Sequence, residues 1–355
     1  RQNIYILKLL LGGEKMEKKR MVIESIYLRN FRNFSDFKTN FKDGINVIYG
    51  PNGSGKTSIL EAVAYLSNPR SFRGARDHQL IKLGEKFFEI NGKILSGNES
   101  HEITISYHHD EIKKEKIAYL DGFKVKRFRD IQEIFIAIPF SFKDYAMIDG
   151  YATQRRDFFD DIFSLLDLEY YEILRNYEKL LDERNDLLKE ENIDRDYVIY
   201  LAKEMQPLAE KIVEKRETMI KELSKYLDPM FKVEYISEFK GKNIVDYIEE
   251  DIARGITTVG PHVHDDYTFY YKGNPAKYFA SEGQKRLLYL SLVLAFRKLI
   301  EETKLYEPVF LFDDPVNVLD PHLLEKFISH LSGQVIIASL SPLLGAYNIG
   351  LTLEG

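Results

Sequence analysis

The spacing of hydrophobic positions changes repeatedly along this chain, and each change predicts a different kind of element. From Val22 the run Val-Ile-Glu-Ser-Ile-Tyr-Leu-Arg-Asn-Phe alternates apolar and polar side chains, as a strand does, and Asp43-Gly44 predicts a turn. The apolar stretch 45–49 reads as a buried strand, and 58–66 (Ser-Ile-Leu-Glu-Ala-Val-Ala-Tyr-Leu) as a helix. Short alternating runs at 87–94, 101–107 and 116–120, with Asp121-Gly122 as a hairpin turn, predict a β-rich stretch. After Gly150 the period becomes helical: Phe158, Phe159, Ile162, Phe163, Tyr170, Ile173, Leu174, Tyr177, Leu180 and Leu181 recur at helical spacing up to about Lys189, and Leu201, Met205, Leu208, Ile212, Met219, Leu223 and Leu227 form a second stripe. This predicts two antiparallel helices of about 30 residues, each about 45 Å long, with Pro207 as a kink or an early break. Later come an apolar helix over 281–300, a buried strand over 308–312 ending in Asp313-Asp314, a helix from Pro321 and a strand over 334–338. The pattern is that of an α/β core with a mixed sheet, assembled from both chain ends around a helical insertion. It gives 21–150 as the first part of the core lobe, 151–230 as the helical arm and 231–355 as the second part.

Residues 1–20 look foreign to this plan. The apolar stretch 4–11 is too short to span a bilayer and lacks a small-residue cleavage site. Gly12-Gly13-Glu14-Lys15 before Met16 can be encoded by a purine-rich stretch resembling a ribosome-binding sequence, so 1–20 reads as translated leader with the start at Met16 or Met21. Mass spectrometry of the native protein checks this, and a mature N-terminus at Arg1 would refute it.

Between the apolar strand and the helix lies Gly50-Pro51-Asn52-Gly53-Ser54-Gly55-Lys56-Thr57, a complete phosphate-binding loop. Backbone N–H groups at a helix N-terminus favour negative charge, and the glycines let the loop close around it. Lys56 is placed for the outer phosphates of ATP, and the Thr57 hydroxyl for a magnesium ion that keeps most of its waters.

The strand ending in Asp313-Asp314 supplies what such a loop needs opposite it. Asp313 reads as the carboxylate that orients the metal shell, and Asp314 as the one that polarises the attacking water. Lys56, Asp313 and Asp314 are the candidate catalytic groups. Ser281-Glu282-Gly283-Gln284 opens the late helix, where Ser is also an ordinary N-cap.

Composition narrows the class without naming partners. The 355 residues are 44% apolar and 13% aromatic, enough for a sizeable core. With no cysteine there is neither disulfide nor thiolate metal site, and no apolar run approaches the ~20 residues of a membrane helix. A cytoplasmic location fits. The formal charge of −6 provides no global basic field, so contact with DNA requires a local patch. The candidates are Arg70, Arg73 and Arg76, with Arg155 and Arg156 behind them. A second reading has Arg73 approach the nucleotide.

Order along the chain makes the set more specific. Ser281–Gln284 precedes the acidic strand as the signature motif does in ABC-type ATPases, and Asn317-Val-Leu-Asp320 stands where their D-loop does. Further tracts resemble the RecF family from Met21 onward: Ile26-Tyr-Leu-Arg-Asn-Phe-Arg-Asn-Phe34, Leu60-Glu-Ala62, Ser71-Phe-Arg73, Gln154-Arg-Arg-Asp-Phe-Phe-Asp160, Asn176-Tyr-Glu-Lys-Leu-Leu-Asp-Glu-Arg-Asn185 and Thr257-Thr-Val-Gly-Pro-His262. The resemblance implies an ABC/SMC-type P-loop ATPase head with a coiled-coil-like arm. It also implies an ATP-dependent homodimer in which Ser281–Gln284 of one subunit face the ATP of the other, with magnesium at Thr57 and Asp313. It implies DNA as ligand, RecR and RecO as partners, RecA loading at gapped DNA, and roles in repair, replication and the SOS response.

The chain departs from the family at Ser141-Phe-Lys-Asp144, where relatives tend to carry Ser-Pro-Glu-Asp, so Lys143 occupies an acidic Q-loop position. One residue is added in Val263-His264-Asp265-Asp266, and Ser339 and Leu340 stand where a histidine is expected. Slow, DNA-stimulated hydrolysis that serves as a switch is the expectation. An SMC-like repair ATPase would need a far longer heptad arm. An ABC-type subunit unrelated to DNA would carry Leu-Ser-Gly-Gly-Gln and a switch histidine.

Overall fold

A computed structural model describes residues 18–110, 114–315, 324, 327–328 and 333–353. They form two compact units, one from the described residues up to 142 together with those from 301 onward, the other from 143–300.

The first unit stacks two sheets on one helix. Its parallel sheet runs in the order Tyr347–Gly350, Ile45–Tyr49, Val335–Ser339, Val309–Asp313, Ala137–Ser141. Val309–Asp313 and Val335–Ser339 are buried at every position, as central parallel strands covered on both faces must be. The helix Lys56–Ser67 packs against this sheet on one side and against the antiparallel strand Phe87–Ser96 on the other, which explains why it is buried nearly all round. Gly92 marks the close approach, because the Leu66 side chain occupies the space a Cβ would need.

The second sheet is built on Lys19–Phe31, which pairs with Phe34–Asn40 and Phe87–Ser96; beyond these lie Glu99–His109, Lys114–Leu120 and Phe123–Lys124. The register shifts between Ile23 and Ser25, and the bulge frees the Ile23 backbone. Gln334 satisfies it: the Ile23 N–H donates to Oε1 at 2.7 Å, and Nε2 donates to Ile23 O at 2.8 Å and Lys42 O at 3.0 Å.

The second unit holds the helices Ala152–Leu166, Leu168–Leu187 and Arg195–Leu223, a three-stranded sheet of Asn274–Pro275, Asp265–Tyr271 and Phe231–Ser237, and most of the helix Glu282–Thr303. Instead of a single helix from Gly150 to about Lys189, there are two. Asp167 ends one and caps the next, accepting from Glu169 N at 3.0 Å and Tyr170 N at 3.2 Å. Pro207, by contrast, breaks nothing: Arg195–Leu223 is continuous over 29 residues, with Met205, Ala209 and Ile212 buried around it. The unit takes in more than the arm because one aromatic core joins its parts. Phe159 stacks on Tyr267 at 4.1 Å and contacts Phe163 and Phe296. Among the described residues, no helix is long and apolar enough to cross a membrane.

Candidate nucleotide site

The loop 50–55 joins the central strand Ile45–Tyr49 to the helix Lys56–Ser67. Gly55 is the N-cap at φ 97°, and the Phe34 ring lies where its side chain would be, so glycine is required twice over. Gly50 is equally confined: a Cβ there would sit 2.5 Å from the Leu351 carbonyl oxygen. The helix has no side-chain cap, so its first backbone N–H groups face the loop. Lys56 folds back over the loop and donates to the carbonyls of Gly50 and Pro51, both at 2.8 Å. Burial lowers its pKa, against the opposing pull of Asp314 and Asp313. Ser54 Oγ is buried without a hydrogen-bond partner, a polar atom for which a phosphate oxygen is a suitable complement.

Thr57 Oγ1 donates to Asp313 Oδ1 at 2.8 Å, so the loop and the acidic strand end meet through two oxygens of the class magnesium binds. Asp313 is 7% exposed. Asp314 follows at φ 62°, a left-handed conformation uncommon for a side-chain-bearing residue and typical of functional turns. The residues therefore fit ATP with a magnesium ion that takes most of its ligands from phosphate and water. Among the described residues no group of three or more His, Asp or Glu forms a protein-only metal cage. Pro51, Asn52 and Gly53 are exposed at the rim of the loop. Asn317 and Asp320 lie outside the described residues.

Ser281, Glu282 and Gly283 are exposed at the start of Glu282–Thr303, in the other unit. Ser281 and Gln284 cap each other, Ser281 N donating to Gln284 Oε1 at 2.8 Å and Gln284 N to Ser281 Oγ at 3.4 Å. Gln284 Nε2 also reaches Tyr271 OH at 3.3 Å, tying this turn to the small sheet. Lys285, which the sequence did not single out, pairs with Asp149 at 2.5 Å and Glu282 at 3.2 Å. Lys143 is exposed.

The arginines divide into two groups. Arg70, Arg73 and Arg76 are exposed. Arg155 and Arg156, expected as DNA contacts, are 8% and 7% exposed and belong to the interior. Arg155 forms a bidentate pair with Asp266 at 2.7 and 2.9 Å and also donates to Met147 O and Gly150 O. Arg156 donates to Asp265 O at 2.8 Å. Arg216, missed altogether, pairs with Asp160 at 2.6 Å and Asp265 at 2.8 Å and donates to Pro261 O. Arg184 pairs with Asp251 at 2.8 Å and donates to Thr257 Oγ1 at 2.6 Å. Buried charges need such partners, and here the partners fix the Thr257–His262 turn against the arm.

The comparisons with known proteins concern the chain as a whole. The family model described as RecF/RecN/SMC N terminal domain matches residues 22–344. A protein named DNA replication and repair protein RecF from Lachnoclostridium phytofermentans is 29% identical over 341 residues, covering 91% of this chain and 93% of its own. One of the same name from Caldanaerobacter subterraneus subsp. tengcongensis is 29% identical over 338 residues, covering 88% and 92%. Two solved structures of the recombination mediator protein RecF in the RecFOR pathway, RecF-ATPrS and RecF-ATP, superpose with TM-scores of 0.84 and 0.83 at 26% and 27% identity. They cover 96% and 95% of this chain, and 98% and 97% of theirs. The chain thus has the fold of an ABC/SMC-type ATPase head and belongs to the RecF/RecN/SMC family, in its RecF branch.

Proposed function

We propose that this protein is an ATP-gated DNA-binding recombination mediator that dimerises around two nucleotides and helps to load RecA at gapped DNA with RecO and RecR. Repair, replication and the SOS response would be its settings, and the cytoplasm its location. The observation that carries the reading is the 2.8 Å contact of Thr57 with Asp313 beside a lysine already held on the loop. Similarity to the RecF-ATP structure and to proteins named for DNA replication and repair supports it.

The bound nucleotide supplies the phosphoanhydride to be cleaved, and a magnesium ion, when bound, would supply its counter-charge. Lys56 moves its donors from Gly50 O and Pro51 O to the outer phosphates, and the N–H groups of the first helical turn stabilise the same charge. Thr57 and Asp313 would hold the shell of a magnesium ion, and Asp314 would orient the attacking water and accept its proton. Ser281 and Gln284 of a second copy close the site. With Lys143 in place of a Q-loop carboxylate, turnover is slow and the cycle acts as a switch.

Binding of gapped, duplex and single-stranded DNA with and without ATP, in the presence and absence of RecR, tests the proposal. ATP should tighten binding in the wild type and leave Lys56→Ala unaffected. DNA binding that is absent, or identical in both nucleotide states, would refute it.

A further inference from the structure

Arg32, Glu61, Ser71 and Arg73 come from three tracts that resemble the RecF family, Ile26–Phe34, Leu60–Ala62 and Ser71–Arg73. They converge on one carboxylate. Glu61 lies one turn beyond Thr57 on the phosphate-loop helix and is 0% exposed. Arg32 grips it with two parallel bonds, Nε to Oε2 and Nη2 to Oε1, both at 2.7 Å. Ser71 Oγ donates to Oε1, and Arg73 Nη1 lies 3.9 Å from Oε2.

The members are not equally held. Arg32 is fixed at φ 56°, its N–H donating to Leu80 O at 2.7 Å and its Nη1 to Gln79 O at 3.2 Å. A bidentate arginine already neutralises the buried carboxylate. Arg73 is therefore the surplus charge, its side chain 47% exposed, on a loop that Ser71 pins by accepting Arg73 N at 3.1 Å. One carboxylate on the phosphate-loop helix is thus bonded to an exposed cationic loop.

We propose that Glu61 is a positioning residue that links the Arg70–Arg76 loop to the nucleotide loop, so that polyanion binding at Arg73 and nucleotide binding at Lys56 and Thr57 alter each other. This rests on the ATP-dependent DNA binding proposed above. Nucleotide binding draws on the N-terminus of the helix carrying Glu61, and a shift of that helix changes the pull on Ser71 and Arg73. Linkage is reciprocal, so DNA on Arg73 returns the same factor to nucleotide affinity.

The test is the ratio of dissociation constants for a labelled gapped duplex without and with a non-hydrolysed ATP analogue, in wild type, Glu61→Gln and Ser71→Ala. The wild-type ratio should be about fivefold or more and should fall to within about twofold of unity in both variants. Nucleotide affinity measured without DNA should be retained in Ser71→Ala. A merely structural Glu61 would lower the melting temperature and leave the ratio intact, which overturns the linkage. A wild type that binds DNA equally in both nucleotide states overturns it as well. DNA unbound under every condition defeats the functional reading itself, and the linkage with it. Should Glu61→Gln fail to fold, Ser71→Ala reads the same ratio, because it removes the loop's bond and leaves the Arg32 pair in place.

Discussion

His262 shows how far a single residue can be moved from its solution chemistry by burial. Desolvation pushes its pKa down to about 4, partly offset by the Thr257 carbonyl and reinforced by Arg156, while Tyr177 OH lies 2.7 Å from Nδ1. The unfolded chain takes up a proton near pH 6.5, which the folded protein refuses until about pH 4. Stability is therefore complete above pH 6.5 and declines as the pH falls through that window, by on the order of 2–3 kcal/mol. Urea unfolding between pH 7 and 4 should show this slope, and His262→Gln should flatten it. An unchanged slope would assign the acid sensitivity elsewhere. Residues such as this were partly legible in the sequence: Gly-Pro-His stood out as a tract, but its partners did not. Arg155 and Arg156 looked like exposed cations because Asp265 and Asp266, which bury them, are far away along the chain. The phosphate loop was legible because every residue it needs is local.

At the scale of elements, Asp167 separates Ala152–Leu166 from Leu168–Leu187, and its carboxylate does more than cap. Burial alone would raise its pKa, but Lys215 at 2.8 Å and the N–H groups of Tyr170 and Glu169 outweigh that and hold it below the usual carboxylate range. Because the folded pKa is depressed, its contribution is present above the unfolded value near 3.8 and is lost as the pH falls through the folded one. Asp167→Ala should cost about 1 kcal/mol from the cap, somewhat more with Lys215 left unpaired, and the deficit should shrink below pH 4. A deficit independent of pH would mean that packing dominates. The Asp-Leu-Glu signal for this break is visible in the sequence, yet the apolar stripe runs through it, and periodicity alone predicts one long helix. At Pro207, of the two readings, kink or early break, the break does not occur: a lost backbone bond is tolerated where Met205, Ala209 and Ile212 anchor both sides.

For the whole molecule, the phosphate loop and Asp313–Asp314 belong to one compact unit and Ser281–Gln284 to the other. A net charge of −6 gives no long-range attraction to DNA, so the proposed DNA binding would draw on local groups such as Arg70, Arg73 and Arg76, and on two copies of them on one ligand. On the proposed reading, ATP-driven pairing would supply both the second copy and the second half of each nucleotide site. Asp314→Asn keeps the shape of the strand end and removes the acceptor for the water proton, so it should bind ATP and accumulate as a dimer. Ser281→Arg places a long cation at the exposed N-cap and should remain monomeric with ATP bound. Sedimentation velocity with saturating ATP and magnesium separates the cases. A monomeric Asp314→Asn, or a Ser281→Arg that assembles like the wild type, would remove the sandwich and leave ATP with a task inside a single chain.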